Sequence, residues 1–284
     1  MLKIPDSNLI DSDWLNVHLT DPEIVIFDCR YNLQDPSQAS QAYHAGHIPG
    51  AYRLDMETDL AGPVGIHGGR HPLPKSEVFS ARLRECGVTD QSLCVAYDED
   101  GSGAARLWWL LRYFGHDRVA LLNGGITEWK IKALPVSKET PNPRAGTFVA
   151  RPHSLPTVSM HDLAGPHRFY LMDSRNAVRY RGEKEPLDIK AGHIPGARPF
   201  DYQKVFQAPA RYHPADFLTE HFADVPRDGK VVVYCGSGVT ACVNLFALSQ
   251  VGIEGTLYPG SWSDWISYQG NPVATGEREN EEGS

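Results

Sequence analysis

Seven consecutive residues, Ala45-Gly-His-Ile-Pro-Gly-Ala51, return letter for letter as Ala191-Gly-His-Ile-Pro-Gly-Ala197. Other segments follow in the same order. Val25-Ile-Phe-Asp-Cys-Arg30 answers to Tyr170-Leu-Met-Asp-Ser-Arg175, Cys94-Val-Ala-Tyr-Asp98 to Val231-Val-Val-Tyr-Cys235, and Asn123-Gly-Gly-Ile-Thr-Glu-Trp129 to Pro259-Gly-Ser-Trp-Ser-Asp-Trp265. Such self-similarity means one domain used twice, so each half must bury a core of its own. A length of 284 residues and a hydrophobic content of 41% suffice for two such cores.

Within each copy, short β-rich runs (24–28, 93–97 and 119–122; then 169–173, 231–234 and 255–258) alternate with amphipathic stretches of helical length at 75–86, 103–114 and 239–251. Strands alternating with helices predict an α/β domain with a mostly parallel sheet, whose functional loops lie beyond the strand C-terminal ends. Between the copies, residues 134–156 hold five prolines, which disfavours a helix and suits an extended connector. The expected organisation is an N-terminal domain over 1–138, a linker over 139–156 and a C-terminal domain over 157–284. From about residue 272 the chain is rich in Gly, Glu and Asn, and a frayed tail is expected.

The formal charge of −8 gives no basic face for nucleic acid or anionic lipid, and no stretch approaches the ~20 apolar residues of a membrane span. Residues 1–6 have no apolar run behind them, so no secretory signal is expected and the cytoplasm is the predicted compartment. Five cysteines, odd in number and without a Cys-x-x-Cys pair, argue against a disulfide framework and a structural zinc site. No metal and no organic cofactor is expected.

The chemistry-bearing segment is Val231-Val-Val-Tyr-Cys-Gly-Ser-Gly-Val-Thr240. An apolar strand delivers Cys235 into a short glycine-bearing loop followed by a helix. Backbone N–H groups freed by Gly236 and Gly238 can curl around the sulfur, and the positive end of the helix adds to them, favouring the thiolate. Ser237 and Thr240 supply hydroxyls that could donate to a bound anion. The competing reading is a small buried hydrophobe at a strand end. Two glycines, and no large side chain before Val239, favour a nucleophile.

The same loop could serve a cysteine phosphatase, but such an enzyme clamps phosphate with an arginine six positions after the cysteine, and here that position is Ala241. His47 and His193 recur in both copies, whether or not the copy holds a nucleophile, and are read as turn-stabilising residues. Trp108, Trp109, Trp129, Trp262 and Trp265 are read as core aromatics. Cys242 lies about two helical turns beyond Cys235, too far for an unstrained disulfide; a redox role for it stays open.

With the repeat, the paired Gly-His-Ile-Pro-Gly segments and the Cys-Gly-Ser-Gly-Val-Thr loop in hand, the chain resembles the two-domain rhodanese-type sulfurtransferases, and within them the 3-mercaptopyruvate branch. Arg106-Leu-Trp-Trp-Leu-Leu-Arg-Tyr-Phe-Gly-His116, Leu122-Asn-Gly-Gly125 and Pro259-Gly-Ser-Trp262 carry the same resemblance, which covers nearly the whole chain. It implies tandem rhodanese folds, an inactive first copy with Asp98 in the nucleophile's place, and a second copy whose Cys235 carries a sulfane sulfur as a persulfide. The implied partners are a small-molecule donor and an acceptor such as cyanide, a thiol or a reduced thioredoxin-like protein. Two alternatives stay open: a thiosulfate:cyanide sulfurtransferase and a non-catalytic sulfur-carrier module.

The resemblance also assigns residues. Arg179, Gly236, Ser237, Gly238, Val239 and Thr240 are expected to bind the donor, and Ser237, His71 and Glu57 match a serine, a histidine and an acid that form a relay in the mercaptopyruvate branch. Gly-Ser after the cysteine fits that branch, whereas the thiosulfate branch usually carries Arg-Lys there. Of the branch's two substrate arginines, Arg179 matches the first and the second is missing. Lys190 and Arg181 are the sequence's candidates to replace it.

Overall fold

The computed structural model describes residues 7–165, 169–227 and 230–277. The chain divides into two compact units. The first comprises Met1–Pro63, Leu73–Pro156 and Phe206–His213; the second comprises Val64–Pro72, Thr157–Val205 and Pro214–Ser284. The compact units are drawn differently from the expected domains in three places. The expected linker 139–156 belongs to the first unit, where backbone pairs such as Arg144 N–H to the Glu85 carbonyl (2.9 Å) and Gly146 N–H to the Arg84 carbonyl (2.8 Å) tie it down. Segments 64–72 and 206–213 each lie in the unit opposite to that of their sequence neighbours. Each is fastened to the repeated turn of the unit it joins, 64–72 to Ser263 and Asp264 and 206–213 to Asn123, Gly124 and Glu128, but neither carries a recurring stretch of letters, so the sequence repeat gave no sign of them.

The first unit holds a five-stranded parallel sheet in the order Leu9–Ile10, Val119–Leu122, Leu93–Tyr97, Ile24–Asp28, Tyr52–Arg53. In the second unit the order is Gly255–Leu257, Lys230–Tyr234, Phe169–Asp173, Arg198–Pro199, again all parallel. β-Branched and aromatic runs make these strands. Burial on both faces explains why they read as continuous apolar stretches and not as alternation. Val231, Val232 and Val233 are each at most 1% exposed, and such burial stabilises by roughly 1.5–3 kcal/mol per side chain.

The helices Ser102–Tyr113 and Ala241–Gln250 depart from the amphipathic expectation. Among residues 102–113 only Arg112 is not buried, and residues 241–248 are all buried. A helix apolar on every side is a buried helix. The five tryptophans named above are all at most 2% exposed, as core aromatics should be.

The tail is also more ordered than its composition suggests. Ala274 pairs with His193 through both backbone groups (2.8 and 3.0 Å), and Gly276 N–H donates to the Arg181 carbonyl. Backbone pairing of this kind needs no apolar periodicity, which is why the sequence hid it. Residues 278–284 lie outside the described residues.

The repeated motifs form the same lock twice. Tyr43 stacks on His47 at 3.9 Å and Tyr180 on His193 at 3.8 Å, and each histidine Nδ1 donates to the carbonyl of that tyrosine. The Tyr43 and Tyr180 hydroxyls donate to the Ala51 and Ala197 carbonyls, each at 2.7 Å. Asp28 grips Arg30 and Asp173 grips Arg175, and the arginines donate onward to the Gly46 and Gly192 carbonyls. Both histidines are thus structural, bonded to the end of the preceding helix.

Candidate active site

The strand Lys230–Tyr234 ends at Cys235, and residues 235–240 turn into the helix Ala241–Gln250. Gly238 N–H donates to Cys235 Sγ at 3.1 Å. Gly238 has φ +80°, and a Cβ there would sit 2.4 Å from the Pro259 carbonyl oxygen, so only glycine brings this amide to the sulfur without strain. The Cys242 thiol donates to the Gly238 carbonyl at 3.3 Å. The Cys235 N–H donates to Ser261 Oγ at 3.1 Å, and the Ser261 hydroxyl in turn donates to the Tyr258 carbonyl. Ser261 is held at φ +55°, strain that a packed surrounding maintains. The carbonyls of Cys235 and Gly236 accept from Trp262 and Ser263 N–H, each at 3.0 Å.

Cys235 is only 1% exposed, more enclosed than a loop thiol read from sequence would be. The segment 259–263 fastens the loop from behind, and a Cβ on Gly236 would meet Arg70 Nη2 at 2.9 Å and Arg179 Nη2 at 3.3 Å in front. Burial does not leave the sulfur among hydrocarbon alone, since an amide points at it and two guanidinium groups lie over the next residue.

Arg70 is the residue that the sequence reading missed. Its segment is fastened within the second unit: Gly68 N–H donates to Asp264 Oδ1 (2.7 Å), Arg70 N–H to Ser263 Oγ (3.1 Å), and His67 bonds Ser267 Oγ (2.7 Å) while stacking on Tyr268 (3.9 Å). These contacts carry Arg70 and His71 to the loop. His71 Nδ1 and Ser237 Oγ are hydrogen-bonded at 2.7 Å, with both residues buried. Glu57 belongs to the first unit, an exposed residue whose N–H donates to Asp55 Oδ1.

Arg70 and Arg179 share one carboxylate. Arg70 Nη1 donates to Asp188 Oδ1, and Arg179 Nη2 donates to Asp188 Oδ2 at 3.1 Å. Arg179 also pairs with Glu185 at 2.8 Å. Arg70 Nε, shut off from solvent, has no acceptor among the described residues. A cavity of about 260 Å³ opens here, lined by Gly69, Arg70, Leu187, Asp188, Ile189 and Ser263 among others. Arg181 points its charge elsewhere, to Glu183 at 2.6 Å and Glu277 at 3.3 Å, so it does not replace the missing arginine. Lys190 enters the hydrogen-bond pattern through its carbonyl, which accepts from Trp262 Nε1. Val239 and Thr240 complete the turn, their carbonyls accepting from Cys242 and Val243 N–H; the Thr240 side chain makes no capping bond.

The corresponding loop of the first unit is filled by its own carboxylate. Asp98 accepts from Gly101 N–H at 2.7 Å and Ala104 N–H at 3.0 Å, while burial pushes its carboxyl well above the usual range against those donors. The helix N-terminus that meets a thiol in the second copy meets an aspartate in the first. Burial also raises the Cys29, Cys86 and Cys94 thiols, Cys86 to about 12, so none of the three is a thiolate at neutral pH. Among the described residues no cluster of His, Cys, Asp and Glu is arranged to hold a metal ion, and no helix is long and apolar enough to cross a membrane.

Comparison with known proteins agrees with this geometry. The family model of the rhodanese-like domain matches residues 11–132 and again 159–268. A probable 3-mercaptopyruvate sulfurtransferase of Pseudomonas aeruginosa is 40% identical over 95% of this chain and 99% of its own length. A putative thiosulfate sulfurtransferase of Mycobacterium tuberculosis, SseB, is 35% identical over 89% of this chain and 91% of its own. The crystal structure of SseA from Escherichia coli, described as a 3-mercaptopyruvate sulfotransferase, superposes with a TM-score of 0.77 at 33% identity, over 90% of this chain and 98% of that one. With two copies of one domain, each a parallel sheet flanked by helices, the chain belongs to the rhodanese-like family and is a sulfurtransferase.

Proposed function

We propose that the chain moves a sulfur atom from 3-mercaptopyruvate to a thiophilic acceptor through a persulfide on Cys235. The observation that carries this reading is the Cys235 loop itself: an amide hydrogen on the sulfur at 3.1 Å, with the Ser237–His71 pair two residues away. In the first half-reaction the Cys235 thiolate attacks the donor's thiol sulfur. An S–S bond forms, the donor's C–S bond breaks, and its electron pair leaves with the carbon as an enolate that takes a proton to become pyruvate. The Ser237–His71 pair is suited to polarise the keto oxygen and move that proton. Arg70 and Arg179 are suited to hold the donor carboxylate, since a guanidinium fork matches a carboxylate in a way an ammonium does not.

In the second half-reaction an acceptor attacks the outer sulfur, the S–S bond breaks and the thiolate returns. Cyanide would give thiocyanate; small thiols or a reduced thioredoxin-like protein would give persulfides of their own. The amide donor and the helix N-terminus stabilise each anionic sulfur without metal or organic cofactor. An odd number of cysteines without a Cys-x-x-Cys pair supports a reducing compartment, the cytoplasm.

The test is a side-by-side kcat/KM for 3-mercaptopyruvate and thiosulfate with cyanide as acceptor, with Cys235→Ser as blank. Mass spectrometry of donor-treated protein should find one added sulfur on Cys235. Turnover without that adduct sinks the mechanism, and a thiosulfate preference replaces the donor. A single persulfide with no multiple turnover would favour a sulfur carrier.

A further inference from the structure

We propose that Asp188 selects the donor by charge: sharing its oxygens between Arg70 and Arg179, it holds the anion-binding edge of the Cys235 loop near neutrality and favours a monoanionic sulfur donor over a dianionic one. The inference rests on the donor reading above and adds the group that sets its selectivity.

The geometry is specific. Asp188 divides its two oxygens, one to Arg70 Nη1 and one to Arg179 Nη2, so each arginine spends one donor on it. Its side chain is 4% exposed, which removes the solvent screening that makes surface pairs weak. Asp188 is fixed from its own backbone as well, its N–H donating to Glu185 Oε1 at 3.3 Å. Glu185, 3% exposed, bonds Arg179 and also reaches Arg175 at 3.4 Å. Arg175 has its own partner in Asp173 at 2.6 Å. The three arginines are thus matched by three carboxylates. Without Asp188 the same cluster would carry one uncancelled positive charge beside the cavity and beside Gly236.

A charge of that kind acts unequally on donors. Mercaptopyruvate carries one negative charge with its thiol protonated, whereas thiosulfate carries two, so one extra positive charge attracts thiosulfate about twice as strongly. Matched carboxylates suppress this advantage, while the spare Arg70 Nε and the planar forks of both guanidiniums keep the geometry for a carboxylate. Asp188 does not touch the reacting sulfur. It is a specificity-determining residue that acts through the two arginines.

The experiment compares wild type with Asp188→Asn, which keeps the shape and removes the charge. The ratio of kcat/KM for thiosulfate to that for 3-mercaptopyruvate should rise about tenfold or more. Inhibition by sulfate, an unreactive dianion, should tighten relative to inhibition by pyruvate, an unreactive monoanion. Asp188→Glu, which restores the charge, should return both ratios toward wild type. An unchanged ratio, or an equal loss for both donors, overturns the proposal, because a purely structural role would injure the two reactions alike. Should Asp188→Asn fail to fold, wild type decides: thiosulfate kcat/KM should fall less than about threefold between about 20 and 200 mM salt, and a steep fall overturns charge matching. Absence of a Cys235 persulfide in wild type treated with 3-mercaptopyruvate would sink the donor reading instead, a result distinct from any of these.

Discussion

His71 Nδ1 and Ser237 Oγ are hydrogen-bonded at 2.7 Å, which puts an imidazole in register with a hydroxyl two residues beyond the nucleophile. General acid–base groups typically contribute 10²–10⁴-fold when they move a proton in the transition state. Ser237→Ala and His71→Gln should each lower kcat for 3-mercaptopyruvate by about 10²-fold. Thiosulfate releases sulfite and needs no enolate protonation, so its turnover should fall less. Equal losses for the two donors would assign the pair to loop structure. Glu57→Gln in the same assay asks whether the acid of the implied relay contributes to the pH profile.

Arg70 and Arg179 should act on binding more than on chemistry. Charge-assisted hydrogen bonds contribute about 1.5–3 kcal/mol, so Arg70→Gln and Arg179→Gln should each raise KM for 3-mercaptopyruvate roughly 10- to 100-fold. Removal of sulfur from a preformed persulfide by cyanide should be nearly unchanged. A loss confined to that second half-reaction would remove the arginines from donor binding.

The cysteines should separate by reactivity. Burial raises the thiols of Cys29, Cys86 and Cys94, and the thiolate is the species that reacts with alkylators and sulfur donors. Peptide mapping of the native protein after brief donor treatment at neutral pH should therefore find persulfide on Cys235 and none on those three. Modification of Cys29 or Cys94 at a comparable rate would contradict their burial.

How far the sequence could be read follows from what each feature depends on. Val231–Tyr234, the Cys235 loop and the paired Gly-His-Ile-Pro-Gly segments depend on local runs and their repetition, and the structure forms strands and locks from them. Arg70 could not be found that way. It reaches the loop through bonds from Gly68 and Arg70 to Asp264 and Ser263, nearly two hundred positions away, and the segment that carries it has no recurring stretch of letters in the other half. One signal was present: Arg70 directly precedes His71, so any placement of that histidine on Ser237 brings the arginine along. The ordered stretch 272–277 was hidden for a related reason, since the bonds of Ala274 with His193 and of Gly276 with Arg181 are backbone to backbone and leave no mark on composition.

Two histidines should make stability depend on pH. Burial holds His116 and His193 below their ordinary pKa of 6.5, against the pull of carbonyls at Ser92 and Tyr180. The unfolded chain protonates both near 6.5 before the folded chain does. Their stabilisation is thus fully present above that pH and is lost as pH falls toward the folded values, at no more than about 1.4 kcal/mol per pH unit for each histidine. Urea midpoints between pH 7.5 and 5.5 should show a shallower decline in His116→Gln and His193→Gln than in wild type. An identical slope would mean that neither histidine is kept neutral by the fold.

Gly238 joins conformation to chemistry, because the residue that must adopt φ +80° is also the one whose N–H meets Cys235 Sγ. Alanine there would be strained in the left-handed region and would drive its Cβ to 2.4 Å from the Pro259 carbonyl, a backbone group that cannot swing away. The loop must move, and the amide moves with it. Losing one such preorganised donor typically costs 10²–10³-fold, so kcat/KM of Gly238→Ala per folded molecule should fall by about 10²-fold with stability down by about 1–3 kcal/mol. Gly196→Ala is the matched control: its φ is also +80°, nothing lies within 4 Å of the added Cβ, and its N–H is not the one that meets Cys235 Sγ. It should lose some stability and keep full activity per folded molecule. If Gly238→Ala instead behaves like Gly196→Ala, the amide contact is incidental and the sulfur's stabilisation must come from the helix terminus and the arginines.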